Sequence, residues 1–288
     1  MKNKHNLLAY LLLSAGIICI GFSAIFVKLA NVPGPVSAFY RMLIAGIAVI
    51  PLWIPVKNKK NSLKDLRLVA AGGLFFSLDL ALWNTSLLHT SAATSTLLAN
   101  NAPVWVGLAS LIFFREKLSG YFWLGLVIAV LGMSVLVGLN SWMTLKFNTG
   151  DMLAVGASIF YAAYLLTTQR ARSSVDTVTF MVISIFTSVI VLLVICILMG
   201  YPLTGFSSKT WISLIALGLI THLSGWLCIN YALGHLRAAP VSVSLLGQAI
   251  VTAVFSIPIL GEGISIEQIA GGMLVLTGIY FANKRPAS

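Results

Sequence analysis

The sequence predicts an all-α membrane protein with ten transmembrane helices, arranged as two five-helix repeats of opposite orientation. The prediction rests on the composition, on the length of the apolar blocks and on a match of the chain with itself. Of its 288 residues, 59% are hydrophobic and 9% are charged, and the mean hydropathy is +0.98. A soluble domain of this size carries far more charge. The apolar residues form continuous blocks, so we expect them to face lipid.

Ten apolar blocks of about twenty residues each match the length that a helix needs to cross a hydrocarbon core. They cover residues 7–29, 35–56, 66–88, 91–114, 121–139, 151–169, 177–199, 210–234, 240–260 and 265–282. The first block follows Lys2 and Lys4, as in a signal peptide. It is longer than a signal-peptide core and lacks a clear cleavage site, so we interpret it as a retained helix.

The basic residues predict the orientation of these spans. Ten spans place both termini on the same side, and a cytoplasmic N-terminus puts fourteen lysines and arginines on the inner side. Four remain for the outer side: Lys28, Arg41, Lys146 and Lys209. This positive-inside bias predicts cytoplasmic termini. The net charge of +11 therefore reflects topology, and we predict no nucleic-acid partner.

The chain also matches itself at an offset of 146 residues. Polar residues that are rare in apolar helices coincide at this offset: Asn84 with Asn230, His89 with His235, and Glu116 with Glu262. We predict a first repeat at residues 1–140 and a second at residues 141–288. Because five is an odd number of spans, the repeats cross the membrane in opposite directions. Inverted repeats of this kind are typical of secondary transporters, whose site lies between the halves near the midplane.

Two segments at this offset resemble the repeated domain of the drug/metabolite transporter superfamily. They are SAATSTLLANNAPVWVGLASLIFFREKLSGYFWLGLVIAVLG at residues 91–132 and AAPVSVSLLGQAIVTAVFSIPILGEGISIEQIAGGMLVLTG at residues 238–278. Each combines a helix of small residues, a glutamate and a glycine-bearing closing helix. The resemblance covers essentially the whole chain and fits the ten-helix EamA-type bacterial permeases. One departure is that the second segment has Gln248 and no counterpart to Pro103.

The resemblance implies a secondary active transporter of small metabolites in the bacterial inner membrane. Amino acids or related compounds are the expected substrates, efflux is the favoured direction, and alternating access is the expected mechanism. It implies no cofactor and no nucleotide-binding domain, and the sequence contains no Walker motif. The expected partners are a small-molecule substrate and membrane lipids, and proton coupling and the oligomeric state stay open.

Other functional classes also stay open at this point. A channel-like facilitator or a lipid flippase could use the same scaffold. An intramembrane enzyme would need a convergent nucleophile, base or metal set. The histidines at positions 5, 89, 222 and 235 form no ligand motif, and no GxSxG sequence occurs. We therefore predict neither a catalytic site nor a metal site.

Asp79 and His222 are the leading candidates for the substrate site. Each lies near the middle of a predicted span, Asp79 in the third and His222 in the eighth. A carboxylate in the membrane is costly unless it is paired, hydrated or protonated, and a histidine can carry a proton near neutral pH. The two spans are repeat partners, so we expect both side chains to face one cavity. The alternative for each is a hydrogen bond between helices.

Further candidates surround these two positions. Trp83 and Trp226 lie four residues after Asp79 and His222, on the same helix face, and could form an apolar wall. The other candidates are polar groups on neighbouring spans, with packing or structural hydrogen bonds as the alternative: Asn84, Asn101, Tyr161, Tyr164, Asn230 and Gln248. Lys28 and Arg41 lie near outer helix ends, where they could reach the headgroups or attract an anionic group.

Overall fold

The computed structural model describes residues 2–56, 61–86, 89–90, 92–137, 148–261, 263 and 265–284. Regular structure within these ranges is helical throughout, which confirms the predicted all-α class. Several residues used in the sequence argument lie outside them: Lys57, Lys59, Lys60, Lys146, Glu262 and Arg285.

The first predicted repeat contains seven helices within the described ranges. They are α1 (Lys2–Gly21), α2 (Ser23–Ala30), α3 (Gly34–Trp53), α4 (Leu63–Ser86), α5 (Ala92–Ala99), α6 (Ala102–Ile112) and α7 (Gly120–Val137). Two predicted spans are interrupted here, since α1 and α2 divide near Phe22 and α5 and α6 divide at Asn100 and Asn101. The predicted span at residues 91–114 is divided into two helices, because Pro103 has no N–H to donate to the preceding turn.

The second predicted repeat also contains interrupted helices. It comprises α8 (Thr149–Ala171), α9 (Thr177–Leu198), α10 (Ser208–Ala216), a π-helical segment (Leu217–Trp226), α11 (Leu227–Leu233), α12 (Ala238–Leu245), α13 (Gln248–Leu260) and α14 (Ile266–Asn283). The π-helical segment continues α10 into α11 without a turn, and the Ser224 hydroxyl donates to the carbonyl of Leu219, five residues earlier. π-helical turns are rare and are frequent at functional sites.

Eight helical stretches within the described residues are long and apolar enough to span a membrane, and three of them join consecutive segments: α1–α2, α10 to α11, and α12–α13. They correspond to eight of the ten predicted spans. The other two are the broken pair α5–α6 and α14, which carries the polar residues Glu267, Gln268 and Asn283 near its ends. The protein is therefore a multi-pass membrane protein, and the count of ten stays a prediction.

Helices α7 and α14 pack closely through glycines. A Cβ atom on Gly125 would collide with the backbone of Ala282, and one on Gly271 would collide with that of Leu136. Because the early residues of α7 meet the late residues of α14, the two helices are antiparallel. Small residues that let helix backbones approach are typical of packing within membranes.

The packing of the remaining helices is reciprocal between the two predicted halves. Helix α4 packs along α8, and the π-helical segment with α11 packs along α1. Helix α9 contacts both α3 and α4, and α3 contacts the π-helical segment. Each third span thus lies against the first span of the other half. This arrangement leaves room for a cavity between the halves.

Candidate substrate site

A cavity of about 500 Å³ lies between the two predicted halves. Its walls come from α1 to α5, α8, the π-helical segment and α13, and residues at the end of α7 and the start of α14 line it near one membrane face. Leu136, Val137 and Gln268 mark that end, which the charge count assigns to the outer side. The volume lies within the usual range for small-molecule sites.

Arg41 and Asp79 place opposite charges on the wall of this cavity. Arg41 is only 7% exposed, and its Nη1 donates to the Ser23 hydroxyl at 3.0 Å. Its Nε is buried and has no hydrogen-bond partner among the described residues. Arg41 and Asp79 have opposite charges when ionised, so each offsets part of the cost of the other within the membrane. The unpartnered Nε leaves Arg41 with hydrogen-bonding capacity for a ligand.

Aromatic rings surround the charged pair. Phe76, Trp83, Tyr161 and Trp226 line the cavity. The Phe76 and Trp226 ring centroids are 4.8 Å apart, and those of Tyr161 and Trp226 are 6.1 Å apart. Edge-to-face packing at these distances forms a rigid apolar wall. The cavity therefore combines a positive group, a negative group and a flat apolar surface.

Two helix breaks meet at the cavity. The break between α5 and α6 at residues 100–101 and the break between α12 and α13 at residues 246–247 coincide at the repeat offset of 146. In both, backbone N–H groups donate to carbonyls three residues earlier, as from Asn101 to Leu98 and from Gly247 to Ser244. Discontinuous helices at the midplane are typical of transporter binding sites.

Asn100 and Gln248 connect these two breaks. Both side chains line the cavity, and Gln248 Nε2 donates to Asn100 Oδ1 across 3.4 Å, which is a long hydrogen bond. One turn further, the Thr252 hydroxyl donates to the carbonyl of Gly21 at 2.6 Å. Polar side chains at the breaks thus connect the two halves beside the charged pair.

The structure places five of the ten predicted site residues on the cavity wall. These are Asp79, Trp83, Tyr161, Trp226 and Gln248. The other five lie outside the lining: Asn84, Asn101, Tyr164, His222 and Asn230.

His222 lies behind the aromatic wall. It is 3% exposed on the π-helical segment, and its ring packs 5.7 Å from that of Phe76 and 6.4 Å from that of Trp226. Its Nδ1 is buried and has no hydrogen-bond partner in the described part of the chain. Asp79 and His222 therefore do not share the cavity surface as expected.

The remaining four residues make hydrogen bonds within the protein. Tyr164 donates to Asn230 Oδ1 at 3.1 Å. Asn84 donates to the carbonyl of Leu80 in its own helix at 2.7 Å, and Asn101 donates to the carbonyl of Leu97 in α5 at 3.0 Å. These contacts match the structural alternative that the sequence left open for them.

Arg41 is the main residue that the sequence argument placed too near the membrane surface. Arg41 lies seven residues after the start of α3 at Gly34, which is far enough along the helix to lie within the membrane. Only the packing shows that its side chain faces the cavity. Ser23, Thr96, Thr252 and Gln268 also line the cavity. Serine and threonine are common in membrane helices, so nothing in the sequence singled out Ser23, Thr96 or Thr252 as site residues.

No group of three or more metal-ligating side chains comes together within the described ranges. The three cysteines, Cys19, Cys196 and Cys228, are free thiols.

Comparison with known proteins defines the class. The model of the EamA-like transporter family matches the chain twice, at residues 7–138 and 148–284. The chain therefore belongs to the EamA-like transporter family, and it is a membrane transporter. This confirms the resemblance to the drug/metabolite transporter superfamily.

Individual relatives agree with this assignment. An uncharacterised transporter of Clostridium kluyveri is 24% identical over 84% of this chain and 82% of its own length. A protein of Streptantibioticus cattleyicolor named as a probable terminal-alkyne amino-acid exporter is 22% identical over 85% of this chain and 82% of its own length. A solved crystal structure shares the fold, with a TM-score of 0.82, 16% identity and 96% of both chains covered.

Proposed function

We propose that this transporter carries amino acids or closely related zwitterionic metabolites as a secondary active transporter, with efflux as the favoured direction. The observation that carries the proposal is the presence of Arg41 and Asp79 on the wall of one cavity. An α-amino acid presents a carboxylate and an ammonium group close together. We assign the carboxylate to Arg41 and the ammonium group to Asp79, since charge-assisted hydrogen bonds are the strongest available here.

The aromatic wall supports a substrate with an apolar side chain. Trp83, Tyr161 and Trp226 surround the charged pair, and flat rings accept aliphatic or aromatic groups without fixing one shape. The amino-acid exporter named among the relatives supports the same substrate class and the same direction.

Alternating access between two inverted repeats is the mechanism that we propose. The antiparallel α7–α14 pair, the reciprocal packing and the equivalent helix breaks support a two-fold relation between residues 1–140 and 141–288. The cavity opens toward the side that the charge count assigns to the exterior. Hydrogen bonds lie at the other end: Gln169 Nε2 donates to Glu116 Oε1 of the first half across 3.4 Å, and Gln169 Oε1 accepts from the backbone N–H of Ala238. We assign them to the closed cytoplasmic gate.

The membrane orientation that we propose follows the positive-inside count. Both termini are cytoplasmic, and the membrane is the bacterial inner membrane. Asp79 is the residue that we propose for proton coupling, since it is the acidic residue among the lining residues described. In this scheme a proton and the substrate ammonium group compete for the same carboxylate.

Counterflow in proteoliposomes tests the proposal. Vesicles loaded with one unlabelled amino acid should accumulate the labelled form with saturable kinetics. Asp79→Asn should abolish the accumulation, and Asp65→Asn, at the start of the same helix and outside the cavity lining, should retain it. Linear flux would indicate a channel, lipid scrambling would indicate a flippase, and a response to sugars or nucleotides without amino acids would refute the substrate class.

A further inference from the structure

A second cavity, of about 680 Å³, lies at the opposite end of the helices from the substrate cavity. Its walls come from the start of α1, the segment before α7, the segment between α11 and α13, and the end of α14. The positive-inside count assigns this end to the cytoplasmic surface. We propose that this cavity binds the phosphate headgroup of an anionic phospholipid of the inner leaflet.

Cations converge on this cavity from three separate segments. Lys117, Arg237 and Lys284 all line it and are exposed, and no acidic residue is among its described lining residues. Lys284 also lies over the Tyr121 ring, with its Nζ 4.9 Å from the ring centroid, which holds the ammonium group near the rim. Like charges around one cavity repel each other, so an anion bound between them stabilises the arrangement.

The cavity also has an apolar wall. Phe122, Val241 and Ala282 line it and are at most 4% exposed, and Leu118 and Leu236 are half-buried beside them. A free phosphate ion gains nothing from such a surface. The glycerol and upper acyl carbons of a phospholipid do, at about 0.8 kcal/mol for each buried CH₂ group.

One side of the cavity borders the lipid. Tyr10 lines it and is 37% exposed, and its helix neighbours Leu7 and Leu11 are 62% and 60% exposed. Exposed apolar residues on a membrane helix face acyl chains, and tyrosine is enriched at the level of the headgroups. A phospholipid can therefore reach the cavity laterally from the inner leaflet. Basic cavities between membrane helices on the cytoplasmic side are known to suit anionic headgroups.

Thermal unfolding of the purified full chain in a neutral detergent tests the proposal. Short-chain phosphatidylglycerol should raise the unfolding temperature in a saturable manner, because it binds the native state. Short-chain phosphatidylcholine and inorganic phosphate are the comparison ligands. Equal stabilisation by phosphatidylcholine, or by inorganic phosphate at the same concentration, would overturn the assignment to an anionic lipid.

Substitutions of the basic lining residues test whether phosphatidylglycerol binds in this cavity. Arg237→Gln, Lys117→Gln and Lys284→Gln should each weaken the apparent affinity for phosphatidylglycerol about fivefold, equivalent to ~1 kcal/mol for one basic residue. Arg67→Gln is the matched control, since Arg67 is exposed on α4 at the same predicted membrane face and is not a lining residue. If the control weakens binding as much as the cavity variants, the lipid recognises total surface charge and the cavity site is refuted.

Discussion

The two halves of the molecule share a scaffold but differ in the chemistry that they bring to the substrate cavity. Arg41 and Asp79 both come from the first half. At the repeat offset of 146, their counterparts in the second half are Thr187 and Gly225. Thr187 donates to the carbonyl of Ile183 in its own helix, and Gly225 packs closely against α1. The two-fold arrangement that we propose therefore carries an asymmetric site, which suits the two-ended substrate of the proposed function.

The two halves also differ in the residues that form their helix breaks. In the first half, Pro103 removes a backbone donor, and Asn100 and Asn101 occupy the break. In the second half, Leu246 and Gly247 occupy the equivalent positions, and Ala249 stands where the first half has Pro103. Different residues therefore produce one backbone shape, which indicates that the breaks belong to the architecture. The side chains beside them are free to differ.

The largest expected loss of stability and transport comes from removing one of the two charged groups, Arg41 or Asp79. Asp79→Asn or Arg41→Gln alone leaves one charge in the membrane without its partner, which should destabilise the protein by ~3 kcal/mol and abolish counterflow. The double variant should recover most of the stability without recovering transport. Thermal unfolding in detergent and counterflow measure the two effects. If the double variant is as unstable as the sum of the single variants, the two charges do not act as a pair.

A smaller loss of stability, similar for the two helices, is expected from substitutions at the α7–α14 contact. Gly125→Ala and Gly271→Ala each force a methyl group into the backbone of the facing helix, and should cost about 1–3 kcal/mol each. Gly272→Ala is the control, because the nearest atom to its Cβ would be 3.8 Å away. Thermal unfolding compares the three variants. A much larger effect for one of the first two would contradict the symmetric scaffold.

The smallest effect is expected from restoring the helix at the first break. Pro103→Ala returns an N–H that can donate to the carbonyl of Ala99 and continue the helix. Counterflow should slow about threefold while stability changes by less than ~1 kcal/mol, since the break is a candidate hinge. Pro51→Ala, at an exposed position inside α3, is the matched control. If both variants slow counterflow equally, the break at residues 100–101 does not act as a hinge.

The sequence predicted the spans well because hydropathy and length determine where a helix can cross lipid. The predicted span at residues 177–199 corresponds to α9 at Thr177–Leu198. The breaks were missed because Asn100, Asn101 and Gly247 lie within apolar runs that a span count treats as continuous. In the structure the two breaks lie at positions that correspond at the offset of 146 residues.

The site was predicted only in part because depth in the membrane follows from sequence, whereas the face that a residue presents follows from packing. Asp79 and His222 each lie near the middle of a predicted span, yet Asp79 lines the cavity and His222 packs behind Phe76 and Trp226. The π-helical segment around His222 changes the rotation of the helix relative to an α-helix. No spacing rule based on α-helices can foresee that change.

The central claim is that Arg41 and Asp79 bind opposite ends of one substrate. The most direct test measures the binding of the amino acid that counterflow identifies, together with its N-acetyl and its amide derivative, to three proteins: the native chain, Asp79→Asn and Arg41→Gln. Both variants should weaken binding of the amino acid at least about tenfold, or ~1.5 kcal/mol. Asp79→Asn should leave the N-acetyl derivative unaffected, and Arg41→Gln should leave the amide unaffected. If each variant weakens both derivatives equally, the two residues do not recognise separate ends of the substrate.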